Sequence, residues 1–287
     1  MNQLRLFVPQ TEPNGNVNSG QRLRGTPSEA YDRRYLLSEQ VEGFIEFQEG
    51  ALSLVKERQL QMLQVTPGVS VLEVGYGRGE LLRHCALHGA KVTGVDYSKD
   101  AFEIASATLA DFPEADIRIA DCRNLPFPEG IFDRVIAGDV IEHLDAEDGV
   151  TMLREIRRVL KPGGTLIVHT SPNAVFMRWI YPVARILLRR LSPQTIDSID
   201  KTRRLANEKR LHLKEYSLLA LQQASKEAGL AGAAVWIEAD LLRSSKHRFT
   251  QDLGKHPLIR FVNFCGRFSF VRYFLGNDLY VKYTKQL

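Results

Sequence analysis

Residues 71 to 80 read VLEVGYGRGE, an apolar run broken by glycines at 75, 77 and 79. Fixing a glycine costs more backbone entropy than fixing any other residue, so three at alternate positions point to something approaching the backbone closely. A tight turn that cradles a nucleotide-like ligand meets that demand. Nicotinamide cofactors use a similar turn, so spacing and context must decide between ligands. A second cluster stands at AGDVIEHLD (137–145), where Asp139, Glu142 and His143 supply two carboxyls and an imidazole, the side chains of proton transfer.

The elements that must position these groups follow from the apolar pattern. Short β-branched runs at 69–74, 91–96, 115–120, 132–138 and 165–170 are separated by helical periods, the pattern of a parallel sheet with crossover helices. Ligands in such sheets bind at the carboxyl ends of the strands. The glycines follow the first strand and precede a helix starting near Glu80. Before the sheet, the spacing of Val41, Phe44, Ile45, Phe47, Leu52, Val55, Leu60 and Leu63 predicts two helices divided near Gly50 and ended by Thr66-Pro67-Gly68. Residues 9–28 have no apolar period and read as a mobile arm.

Four features resemble the class I SAM-dependent methyltransferases: the GxGxG spacing of VLEVGYGRGE, Asp96 ending the second strand in VTGVDYS, Asp121 ending the third in IRIADCRNLPF, and LREIRRVLKPGGTLIV entering the fifth. The resemblance extends from Val69 to Thr170 and more loosely over 212–230. It implies a Rossmann-like α/β fold, a mostly parallel seven-stranded sheet with flanking helices, in which VWIEA (235–239) and DLYVKYTK (278–285) pair antiparallel as the last strands.

The same resemblance implies S-adenosyl-L-methionine as cofactor. Glu73 falls where the family places an acid near the methionine amino group, and Gly75, Gly77 and Gly79 form the turn. Asp96, followed by Tyr97, takes the ribose hydroxyls. Asp121 accepts from the adenine amine beside Cys122 and Leu125, with Phe127 over the ring, and Asp139 approaches the methionine end. Tyr76 replaces the small residue or cysteine usual in the turn and is expected to alter the pocket's shape. His143 is the candidate base where an acceptor hydroxyl must lose its proton. No metal is expected; the alternative is a divalent ion held, as in some relatives, by Asp139, Glu142, His143 and His212.

Composition bounds the rest. A chain of 287 residues with 44% hydrophobic content suits one large domain: an arm at 1–28, a helical cap at 29–66 and a methyltransferase domain at 67–287 with acceptor-side insertions at 174–211 and 241–276. The net charge of +4 conceals an asymmetry. Residues 1–177 carry 18 Lys/Arg against 25 Asp/Glu, residues 178–214 carry 10 against 3, and residues 241–287 carry 9 against 2. The two basic segments interleave apolar and aromatic residues with arginine, fitting a lid, a packed helix or a peripheral membrane contact. They hold no recognisable RNA module, so nucleic acid is not expected. Three scattered cysteines support neither disulfides nor a zinc ribbon, and the first ten residues lack a signal-peptide pattern, so a cytoplasmic protein is expected. The expected reaction is O-methylation of a small molecule, first a sugar hydroxyl of a glycan or lipid-linked intermediate, otherwise a phenol or quinone precursor. A non-catalytic SAM-binding protein and an NAD-dependent oxidoreductase are the remaining classes.

Overall fold

The computed structural model describes residues 26–39, 41–208, 213–238, 256–266 and 268–286. Seven strands form one sheet in the order β3-β2-β1-β4-β5-β7-β6. They are β1 (Ser70–Val74), β2 (Lys91–Asp96), β3 (Asp116–Ile119), β4 (Phe132–Gly138), β5 (Leu160–Thr170), β6 (Ala234–Glu238) and β7 (Asp278–Thr284). The first five run parallel, and β7 lies antiparallel between β5 and β6. The antiparallel strand separates this sheet from the dinucleotide-binding order 3-2-1-4-5-6, whose sixth strand adjoins the fifth, and so removes the oxidoreductase expectation.

Before the sheet come a 3₁₀ turn (Ser28–Tyr31) and helices α1 (Arg33–Leu36), α2 (Phe44–Gln48) and α3 (Leu54–Leu63). The division at Gly50 is where the spacing puts it, and α3 begins where Ser53 accepts a hydrogen bond from the Lys56 amide. The 3₁₀ turn and α1 are too short to leave a period in the sequence. Crossovers follow as α4 (Glu80–Leu87), α5 (Lys99–Thr108) and α6 (Ala146–Val159). Ser98 caps α5 and Asp145 caps α6, each accepting from an amide three residues on.

β5 begins at Leu160, five residues earlier than its β-branched run, because Leu160 pairs with Phe132 before a register irregularity. Beyond it lie a turn of π-helix (Phe176–Ile180), α7 (Tyr181–Leu191), α8 (Pro193–Glu208), α9 (Leu218–Glu227), α10 (Pro257–Cys265) and α11 (Ser269–Leu275).

The core has two layers, one on each side of the sheet. Leu72, Val74, Val135 and Val168 pack with α6 and α9, while Val71, Ile136 and Ile167 pack with α3, α4 and α5. Tyr76 belongs to the second layer. It is fully buried rather than lining a pocket, because Gly94 of β2 leaves room for its ring. A Cβ on Gly94 would stand 2.7 Å from Tyr76 Cδ1 and 2.6 Å from Leu82 Cδ1. Gly94→Ala is therefore expected to cost about 1–3 kcal/mol through overpacking, read as a lowered urea midpoint; an unchanged midpoint would show that this ring does not require the glycine.

Candidate functional site: the carboxyl edge of the sheet

The strands end along one edge and are tied there by backbone bonds. Gly75 N–H donates to Val95 O at 2.7 Å, Ala120 N–H to Asp96 O at 2.9 Å, and Asp139 N–H to His169 O at 3.0 Å. The glycine turn is thus level with the ends of β2, β3, β4 and β5.

Each glycine of the turn has positive φ, and their surroundings differ. A side chain on Gly75 would collide with Val140, and one on Gly79 would press on Ala105. Around Gly77 no described residue lies within 4 Å of where a Cβ would stand. Two of the glycines therefore serve packing, and the third faces open space. On the strand that leads into the turn, Glu73 of β1 is buried and its Oε2 has no hydrogen-bond partner among the described residues. Burial pushes this carboxyl up to about 8, against the pull of Lys56. Asp96 accepts from Gly77 N–H at 3.0 Å and from Ser98 N–H at 2.9 Å, fixing the turn to β2. Burial raises its carboxyl, and these amides oppose the rise.

An orphaned carboxyl oxygen, open space over Gly77 and a carboxylate at the second strand end fit S-adenosylmethionine. Glu73 would meet the ammonium, Gly77 the backbone approach and Asp96 the ribose diol.

Arg78, which no local pattern in the sequence marks, is almost fully buried in the same turn. It donates to Glu80 at 2.7 Å, to Leu36 O at 3.2 Å and to Glu42 O at 2.6 Å, and its guanidinium lies 5.1 Å from the centre of the Phe47 ring. Lys56 of α3 donates to the same Glu80 oxygen at 2.7 Å. Although burial pushes the Glu80 carboxyl up, Lys56 and Arg78 hold it down to about 2. The N-terminal elements are thereby stapled to the glycine turn. Further along, Tyr97 O–H donates to Thr26 O at 3.1 Å and Ser98 O–H to Tyr31 O at 2.9 Å, so this segment passes over the end of β2.

Asp121 lies just beyond β3 and is held by Arg123, which also reaches Asp148 at 2.8 Å. Burial raises the Asp121 carboxyl, but Arg123 more than reverses this and leaves it below its ordinary value. Cys122 is half-buried, and its thiol is pushed up to about 12 by burial and by Asp121. Leu125 and Phe127 are core residues, contrary to expectation: Phe127 is buried edge-on against Phe132 at 5.1 Å and so does not cover an adenine ring.

At the end of β4, Asp139 adopts φ +55°, a left-handed conformation that aspartate tolerates better than most residues. Its Oδ1 is 3.0 Å from Nδ1 of buried His169, without hydrogen-bond alignment, and His169 Nε2 lies 3.0 Å from Asp278 of β7. An Asp139, His169, Asp278 row thus runs along the sheet edge. The sequence marks this row only by a histidine inside the apolar run TLIVHT.

Glu142 is buried, not turned toward an acceptor. Its Oε2 accepts from Thr170 O–H at 2.8 Å and its carbonyl accepts from the Leu213 and Lys214 amides. Burial and Asp139 push its carboxyl up to about 8. His143, in a 3₁₀ turn with Ile141 and Glu142, is half-buried and meets the Tyr31 ring edge-on at 5.3 Å. Tyr35 lies close enough for Glu142 and Asp139 to add to the effect of burial, which together push its hydroxyl up to about 12. Among the described residues no three His, Cys, Asp or Glu side chains are grouped to hold a metal ion, and His212 lies outside the described residues.

Residues 72–168 match the family model described as "Methyltransferase domain". A demethylmenaquinone methyltransferase from Tropheryma whipplei is 35% identical over 134 residues, 47% of this chain and 54% of that protein. A ubiquinone biosynthesis O-methyltransferase from Xanthomonas campestris is 34% identical over 106 residues, 36% of this chain and 44% of that protein. The chain thus spans about half the length of the curated relatives it matches. The fold is similar to that of Haemonchus contortus phosphoethanolamine N-methyltransferase 2 solved with S-adenosylhomocysteine, with TM-score 0.57 and 16% identity over 89% of this chain and 60% of that one. The sheet order, the GxGxG turn with its acids and the family match over residues 72–168 have one reading: this part of the chain is a methyltransferase domain with the class I SAM-dependent fold.

Proposed function

We propose that the protein transfers the methyl group of S-adenosylmethionine to a hydroxylated aromatic ring of the phenol or quinone-precursor class. The observation that carries the transfer is the cradle itself: a buried Glu73 oxygen without a partner among the described residues, open space at Gly77, and Asp96 bonded to the Gly77 amide. Support for the acceptor comes from two sources. The two relatives above are named for quinone methylation. In addition, the Tyr31 ring meets those of Tyr35, Tyr97 and His143, and Tyr35 lies near Asp139, an aromatic surround suited to a flat ring. A sugar hydroxyl, the first expectation from sequence, has neither support.

The bound cofactor supplies an electrophilic methyl on a sulfonium, so proximity and in-line alignment provide most of the rate. Glu73 would hold the ammonium end and Asp96 the ribose, and these two anchors would orient the cofactor. The acceptor lies toward His143, whose imidazole takes the proton that the attacking hydroxyl, or the ring carbon beside it, must lose. The N-terminal segment is bonded to Tyr97 and Ser98 beside the end of β2.

Asp96→Ala should weaken S-adenosylmethionine binding about 10- to 150-fold in calorimetry, the scale of a charged hydrogen bond, and wild-type affinity would remove Asp96 from the site. Because the Glu73 carboxyl is raised to about 8, pairing it with an ammonium must release its proton at neutral pH. Affinity should therefore rise with pH from about 6 to about 8, by up to about tenfold per unit, and Glu73→Gln should flatten the slope; a slope unchanged in that variant would contradict the pairing. His143→Ala should keep cofactor affinity while lowering turnover on dihydroxynaphthalenes or catechols by about 10²–10⁴, and near-normal turnover in a folded variant would exclude it as the base. Turnover on a sugar nucleotide but not on these rings would overturn the acceptor class.

A further inference from the structure

The carboxyl edge of the sheet also gives rise to a surface built from residues outside the Glu73, Gly77, Asp96 and His143 site. β5 leads through Asn173 into the π-turn and α7, and the Asn173 amide side chain donates to Gly276 O at 2.8 Å, where α11 leads back into β7. Both insertions therefore spring from one point on the carboxyl edge, and α11 packs against the π-turn.

Of the 14 large hydrophobic residues exposed among the described residues, eight lie on these insertions, among them Trp179, Val183, Ile186, Phe261, Phe264 and Phe270. They are well exposed, Trp179 at 64%, Ile186 at 65% and Phe270 at 78%. Along the π-turn and α7 the spacing 179, 183, 186 and 190 makes one stripe of Trp, Val, Ile and Arg. Arg178, Arg185 and Arg189 follow one flank of that stripe, with Arg185 and Arg189 also bonded to Asp200 and Asp197 of α8. From Arg178 to Arg190, and again from His256 to Gly276, there is no Asp or Glu, against four and three arginines.

An exposed apolar stripe flanked by arginines, two of them paired with acids of α8 and Arg178 and Arg190 outside those pairs, is the pattern of a helix lying in a bilayer interface, with apolar side chains among the acyl chains and arginine at the headgroups. No helix of the described residues is long and apolar enough to cross a membrane, so the fit is to a surface helix. A basic rim calls for an acidic partner face, which a second copy of the same cationic surface would not provide. We propose that α7 together with α10 and α11 forms a docking face for the surface of an anionic phospholipid bilayer. This inference does not depend on the identity of the methyl acceptor.

The test is sedimentation of the full chain with vesicles of pure phosphatidylcholine, pure phosphatidylglycerol and an equal mixture, across a salt series. Bound protein should rise with phosphatidylglycerol and fall with salt. Arg178→Gln with Arg190→Gln should lower binding about 30-fold, from about 1 kcal/mol for each arginine near an anionic surface. Ile186→Asp and Phe264→Asp, both at exposed sites, should abolish binding without moving the thermal melt. In a Trp236→Phe background the remaining Trp179 fluorescence should shift blue on adding phosphatidylglycerol vesicles. Binding that ignores lipid charge, no binding, or self-association in sedimentation that these substitutions abolish while vesicles stay free would each overturn the proposal, the last in favour of a second copy.

Discussion

One buried carboxylate organises the cofactor side of the molecule. Glu80, the first residue of α4, is taken out of water and kept ionised by Lys56 from α3 and Arg78 from the glycine turn. A buried anion is costly without partners, so removing either cation would leave charge in the interior short of its compensation. Arg78 carries the constraint outward. Its remaining donors hold the carbonyls of Leu36 and Glu42, so the N-terminal elements cannot leave the turn without unpairing a guanidinium. The position of Tyr31 and Tyr35 beside Asp139 and His143 follows from that staple, and with it the aromatic character of the space where an acceptor would lie.

The opposite half of the edge is governed by a different interaction. His169 stands between Asp139 and Asp278, joining the end of β4 to the start of β7 across the intervening strand. Asp139 reaches this contact in a left-handed backbone conformation. The β1–β2 side of the edge is thus held by the Glu80 network and the β4–β7 side by the His169 row.

Much of this was legible in the sequence, and the reasons differ by element. β2 and β4 could be bounded to the residue because β-branched runs ended sharply at Asp96 and Gly138. The glycine turn and Asp96 could be found because backbone approach and strand-end acids leave a local signature. Roles set by long-range contact could not. Tyr76 reads as part of the turn, yet it is buried because Gly94, well along the chain on β2, makes room for it. Phe127 reads as an aromatic near an adenine site, yet Phe132 draws it into the core. Glu142 reads as chemistry beside His143, yet it is turned inward to hold Thr170 through its side chain and the amides of Leu213 and Lys214 through its carbonyl, at the return from the insertion. Arg78 gave no signal, because nothing local distinguishes a buried arginine with distant carbonyl partners from a surface one.

The proposed transfer requires that S-adenosylmethionine sit against Glu73, Gly77 and Asp96. A crystal structure of the full chain with S-adenosylhomocysteine tests it most directly. The ligand is expected with its amino group against Glu73, its chain over Gly77 and both ribose hydroxyls on Asp96, with Tyr31 and His143 facing the sulfur. A ligand seated elsewhere, or a glycine turn left empty at saturating ligand, would contradict it.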